Sequence, residues 1–478
     1  MPRFSAAFGI DKTQSELDFV DVSLNTDNRL FVDPFVLSQK ADRWSHDAHS
    51  TVVTFFQSII DNIREGNEDR ARELLEHLRE PNETRLGYSR RRPEGAGIGD
   101  EQANDLFEAL RDSAAVRAGF ITSLEESELM IEGISHDKIS DLTTNIIRGQ
   151  LAAYTGEQCA LHNVATREVA MPPCFNTDTM DWQDGFLPLP VYRNRPILLV
   201  PKSIVRRTSA YQHPQYYQHF VLNFLQREEL ANPLSRLVRT LRGGRRKVYK
   251  KDIARQYPRT KEFLYEFSQR HPEVLHEYRE SLKQAEQQGP SSDVDGPNDS
   301  AVAEALAIAL RAIQPGDDGA TDYHNFMIGA SEFIFFPSLT HPKKEREIHQ
   351  GRKRIDIYFE NGATSGIFHR IPTLRRYPCA YVPFECKNYA TEVANPELDQ
   401  LAGRFSVQRG QVGFLCCRHF QNRQRFVESC RDTFTDGRGL ILPLDDETVL
   451  RLLTIIQNGR RDDIDHLISD LVAEVWVG

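Results

Sequence analysis

Glu385 and Lys387 close the apolar run AYVPFECKNY, and Asp356 sits inside a second such run, RKRIDIYFE. Side chains alternate across an extended strand, so Val382, Phe384 and Cys386 share one face while Glu385 and Lys387 share the other. In the second run Ile355, Ile357 and Phe359 take one face and Asp356 the opposite one. Charges on an apolar strand are costly unless they are paired or hold a metal. An isolated Glu-x-Lys is ordinarily a solvated ion pair on an edge strand; a carboxylate on a second strand changes that reading. Two carboxylates from adjacent strands make a hard-oxygen site for Mg²⁺, with Mn²⁺ as a substitute, completed by water and substrate phosphate. Such an ion lowers the pKa of bound water and stabilises charge on a leaving oxygen. A lysine on the same face can position that water or offset the charge of the transition state. Those are the parts phosphodiester hydrolysis requires.

The elements expected to position these residues begin with a helix at 322–336 and strands at 354–359 and 380–387. A helix at 396–408, a strand at 411–417, a helix at 421–434, a strand at 439–442 and a helical tail at 446–475 follow. Strands separated by helical patterns predict an α/β unit. On the 396–408 helix, Asn395 is placed to cap and Pro396 to occupy the first turn. Leu398, Leu401, Ala402 and Phe405 would face the core, leaving Gln400 and Arg404 one turn apart on another face.

Asp356 followed by Glu385-Cys386-Lys387 at a strand end, then a helix and a strand, resembles the PD-(D/E)xK nuclease superfamily of restriction and DNA-repair nucleases. The resemblance spans residues 322–443; Ile355 stands where the motif usually has proline. It implies a restriction-endonuclease-like domain with a mixed central sheet flanked by helices, Asp356 and Glu385 as metal ligands, and Lys387 as a catalytic residue. It also implies two supporting residues, Glu332 from the opening helix and Gln400 from the later one. Arg404 is expected to meet nucleic acid.

Residues 284–300, QAEQQGPSSDVDGPNDS, are polar and rich in Gly and Pro, a composition that reads as a linker. It would separate a nuclease-like domain at 301–478 from a helix-rich α+β region at 1–283, itself divisible near 165–215. Helical spacing marks 51–63, 69–78, 102–113, 139–148 and much of 216–282, with strand-like runs at 29–32 and 196–200. This region is expected to serve recognition, sensing or assembly.

The stretch SRLVRTLRGGRRKVYKKDIARQYPRTK is the most basic of the chain, with Arg245, Arg246, Lys250 and Lys251 near its centre. Gly243-Gly244 reads as a turn between two helical arms, and Tyr249 and Tyr257 are placed to stack on bases. A second basic run, with Lys343, Lys344, Arg352, Lys353 and Arg354, leads into Asp356 and would bring phosphate-binding groups to the site. The formal net charge of −10 argues against a simple nucleic-acid coat protein but leaves such local surfaces available.

Seven cysteines without a C-x-x-C pair argue against a disulfide framework or a zinc ribbon. Without an apolar run of about 18 residues or a leader-like N-terminus, the expectation is a cytoplasmic protein with no membrane partner. The reading is a DNA endonuclease, with RNA also open as a substrate, in a restriction or anti-phage setting. A second copy or a partner protein of the same defence system would assist it. The alternative is a catalytically silent nuclease-like fold that binds DNA or protein.

Overall fold

A computed structural model describes residues 2–87, 98–121, 123–241, 244–288, 294, 296–344, 357–393 and 395–477. Two hydrophobic cores organise them. One gathers buried residues from Phe4 to Tyr278; the other is built from Leu161 and residues 302–475.

The first core is mostly helical. Helix α1 (Arg43–Glu65) starts where the Asp42 side chain accepts the Ser45 N–H, and ends at Gly66, whose φ of 83° suits a residue without Cβ. Its buried face, Trp44, Ala48, Val52, Phe55, Phe56, Ile59, Ile60 and Ile63, recurs at helical spacing. Asp47 lies inside this helix and pairs with Arg43, one turn away. Helix α2 (Arg148–Leu161) packs nearby, followed by an antiparallel ribbon of β1 (Arg167–Asn176) and β2 (Asp181–Leu189). The sequence did not announce this ribbon, because Pro172 and Pro173 coincide with a register shift between Met171 and Cys174 that breaks the alternation.

Other differences are local. The strand expected at 29–32 shrinks to Phe31–Val32, paired with Val205–Arg206. From 196–200 only Pro196 is in a strand, although Ile197 to Val200 are buried. The arms around Gly244 are short antiparallel strands, Arg239–Thr240 and Arg246–Lys247, not helices. Gly243 lies outside the described residues; Gly244 has a φ of 78°, a turn conformation open to glycine. The helix Pro272–Gln288 continues five residues into the stretch read as linker, since Gln, Ala and Glu favour helix despite their polarity.

The second core surrounds a five-stranded mixed sheet. Helix α3 (Ala320–Phe335) leads into β3 (Leu339–Lys344), β4 (Ile357–Asn361) and β5 (Tyr381–Lys387), an antiparallel run. Helix α4 (Asn395–Ala402) then crosses to β6 (Val412–Cys417), and α5 (Arg423–Thr435) to β7 (Leu440–Asp445), both strands parallel to β5. The order across the sheet is β7-β6-β5-β4-β3. Helices α6 (Asp446–Gln457) and α7 (Asp463–Trp476) complete the tail. Phe335, Phe384 and Phe414 stack within this core, with ring centroids 4.7 to 5.8 Å apart, a geometry that adds about 0.5–1.5 kcal/mol per pair beyond area burial. Among the described residues no helix is long and apolar enough to cross a membrane.

Candidate active site

Strand β5 carries apolar residues on one face, as its alternation predicts, and on its other face Tyr381 and Pro383 are half-buried while the two charged residues are buried. Glu385 is 1% exposed and Lys387 4%. What covers them is α4 and the turn after it. Leu398, Leu401 and Ala402 anchor α4 in the core. That placement brings Gln400 and Arg404 onto β5: the Lys387 ammonium donates to Gln400 Oε1 at 3.1 Å, and Arg404 Nη1 stands 2.9 Å from Glu385 Oε2. Lys387 Nζ also contacts Glu385 Oε1. One buried carboxylate is therefore straddled by an ammonium and a guanidinium, with an amide fixing the ammonium from behind.

Arg404 is thus placed differently from the expectation. It is largely buried, with its guanidinium against the Glu385 carboxylate. Gln400 and Lys387 meet, a contact that the one-turn spacing of Gln400 and Arg404 could not specify. Asp356 lies outside the described residues, as do Arg352, Lys353 and Arg354. The first described residue of β4, Ile357, pairs with Phe384, the neighbour of Glu385.

Glu332 belongs to another cluster. Its carboxylate pairs with Lys202 at 3.0 Å, from the first core, and its electrostatic neighbours include Asp18 and His341. Burial pushes its carboxyl well above the ordinary range, against the opposing Lys202 ammonium. Lys343, expected beside the metal site, is instead held 3.0 Å from Glu360 and 3.2 Å from Glu157. The buried residues of this seam, Asp18, Asp42, Tyr154, His341 and Glu360, were missed by sequence reading. The local signal was a proline inside a polar strand, Pro342 in LTHPKK.

The basic hairpin is a surface feature. Arg245 and Arg246 are exposed, Lys250 Nζ donates to the Gln218 carbonyl at 2.9 Å, and Lys247, Arg239 and Lys251 ring the face of Tyr249 at 4.7, 5.6 and 5.7 Å. Asp252 pairs with Arg239 and Arg255.

Among the described residues no group of three or more His, Cys, Asp and Glu could hold a metal. A magnesium ion ordinarily takes one or two protein carboxylates and fills the rest with water and phosphate; both Glu385 oxygens here meet cations, Lys387 on one and Arg404 on the other. The second carboxylate proposed by sequence is Asp356.

Residues 9–212 match a family described as a domain of unknown function, DUF8370. The match covers much of the first core and ends before β3, so it does not extend to Glu385 or Lys387. Comparison with curated proteins and with solved structures finds no match.

Proposed function

We propose that the second core is a restriction-endonuclease-like nuclease domain that hydrolyses phosphodiester bonds of DNA, with Mg²⁺ or Mn²⁺ held by Glu385 and Asp356. The observation that supports this reading most is the meeting of Glu385, Lys387 and Gln400 across β5 and α4 of a mixed sheet flanked by helices. A purely structural ion pair has little reason to be buried there, since an apolar pair of similar volume is often as stable.

In this reading Gln400 holds the Lys387 ammonium beside the carboxylate, so that its charge meets the negative charge developing on the phosphoryl oxygens. Arg404 orients Glu385 from the other oxygen. When bound, the metal would supply an activated water and Lewis-acid stabilisation of the leaving oxygen. The hairpin cations, Arg245, Arg246, Lys250 and Lys251, would hold the backbone of the same DNA. A restriction or anti-phage role, in the cytoplasm and with a second copy or a defence partner, follows from the family analogy alone.

A second reading is favoured by one observation: Lys387 and Arg404 already neutralise Glu385. That arrangement also suits a silent fold that binds nucleic acid or protein. The deciding experiment is cleavage of plasmid, linear and single-stranded DNA and of RNA, with Mg²⁺, Mn²⁺ or chelator. Wild type should cut in a metal-dependent way, and Glu385→Gln, Lys387→Met and Asp356→Asn should each lose at least about a hundredfold. Metal-dependent binding without cleavage by wild type would establish the silent fold.

A further inference from the structure

Strand β3 has one residue too many for its partner. Lys343 pairs with Tyr358 and Thr340 with Glu360, so His341 and Pro342 together face Phe359. Such a bulge interrupts the hydrogen-bond ladder and re-aims a side chain. His341 also has a φ of 50°, a left-handed conformation that residues other than glycine adopt sparingly and keep only where their surroundings enforce it.

The enforcing groups all come from the first core. The His341 N–H donates to Asp18 Oδ1 at 3.1 Å, and the Pro342 carbonyl accepts from Gln158 Nε2 at 3.0 Å. The imidazole stands between two carboxylates, with Nε2 3.1 Å from Asp42 Oδ1 and Nδ1 3.5 Å from Asp18 Oδ2. Asp18 in turn accepts the Tyr154 hydroxyl at 2.7 Å, and the Trp44 ring lies 5.1 Å from the imidazole. Around this centre Lys202 meets Glu332, Lys343 bridges Glu157 and Glu360, and the Trp44 N–H donates to Glu360. His341, Asp18, Asp42 and Tyr154 are all buried, so no ligand reaches them.

We propose that the N-terminal region governs the candidate site by clamping this bulge, with His341, set between Asp18 and Asp42, as the pin that keeps β3 and β4 in register beside β5. The bearing on hydrolysis rests on the function proposed above; the clamp does not. Withdrawal of the first core would leave the His341 N–H and the Pro342 carbonyl without partners in a bulge that cannot supply them, so the clamp closes or opens as a unit. Strand β4 lies between β3 and β5, and its Ile357 faces the residue next to Glu385. A slip at the bulge therefore reaches the site through one strand.

Hydrogen exchange on the full chain, comparing wild type with His341→Gln and Asp18→Asn, tests this. Exchange should quicken by about tenfold or more in Leu339–Lys344 and at the Glu385 end of Tyr381–Lys387, while Leu440–Asp445, at the far edge, stays protected. In the same preparations, turnover of plasmid DNA with Mg²⁺ should fall while DNA affinity holds. Unchanged exchange in both variants overturns the pin, and faster exchange confined to Leu339–Lys344 overturns its hold on the site. Should His341→Gln not fold, the near-isosteric Asp18→Asn carries the test alone. A wild type that never cuts DNA counts against hydrolysis only, and the exchange result still decides the clamp.

Discussion

Glu385 carries two cations and is itself buried, so its chemistry and its stability are bound together. The alternation of AYVPFECKNY was legible as a strand with charges on one face, but what covers that face was not. Pairing across the fold decides whether Arg404 points at phosphate or at a carboxylate, and spacing along one helix carries no record of it. The consequence is that truncation is a poor probe of catalysis here. Glu385→Ala would leave the Lys387 and Arg404 charges buried together, and removing one partner of a buried pair costs about 3–5 kcal/mol. Isosteric changes should be milder. A double-mutant cycle of Glu385→Gln with Arg404→Gln, read by urea unfolding, should give a favourable coupling of about 1–3 kcal/mol. Additive effects within about 0.3–0.5 kcal/mol would mean that the contact contributes nothing net to the fold.

At the level of elements, the apolar strands β5, β6 and β7 were read correctly in kind, β6 and β7 because a short continuous apolar run is what a strand buried on both faces requires. Strand β3 was not foreseen, and only its last two residues, Lys343 and Lys344, entered the reading, as the start of a basic run, since LTHPKK has charges, a proline and a bulge where a pattern would be. The basic hairpin failed for the opposite reason: its arms are only Arg239–Thr240 and Arg246–Lys247, too short to show any period, so the Gly-Gly turn was the one usable signal. Its form sharpens the expectation for DNA. A two-stranded ribbon places the exposed cations Arg245 and Arg246 near Lys250 and Lys251. Each phosphate contact made there contributes a slope of about −0.9 to the logarithmic salt dependence of binding. Reversing these four residues to Glu should weaken binding to all sequences alike and flatten that slope, as fluorescence anisotropy at several salt concentrations would show. Cleavage at saturating DNA should persist. Unaltered affinity and slope would make the ribbon an ordinary solvated surface.

Among the described residues the two cores meet at a seam of buried charges, hydrogen bonds and aromatic contacts, and the sequence carried only half of that architecture. The polar stretch at 284–300 signalled a boundary between them, whereas the seam joins residues as far apart as Asp18 and His341. Such a seam should register pH. Burial alone would depress the His341 imidazole, but Asp42 and Asp18, with Glu360 beyond them, lift it from the ordinary 6.5 to about 9. Burial likewise would raise the Asp42 carboxyl, yet His341 and the Ser45 N–H hold it below its ordinary range. The signs are opposite. A raised imidazole contributes stability that is fully present below about 6.5 and is lost as pH climbs through about 9. A depressed carboxyl contributes stability above its unfolded pKa that is lost in acid. Protonation of His341 is thereby linked to folding by on the order of 3 kcal/mol. Around it the Glu332 carboxyl, pushed up to about 7 by burial against the opposing Lys202, titrates at the lower edge of this range, and Tyr154 stays protonated, its hydroxyl pushed well up by burial and by Asp18. Wild-type stability should hence fall between pH 7 and pH 9.5 by more than that of His341→Gln, narrowing most of the gap between them, as urea melts at each pH would measure. A gap that stays constant across this range would mean that the imidazole is neutral in the folded protein and that Asp18 and Asp42 hold it by hydrogen bonds alone.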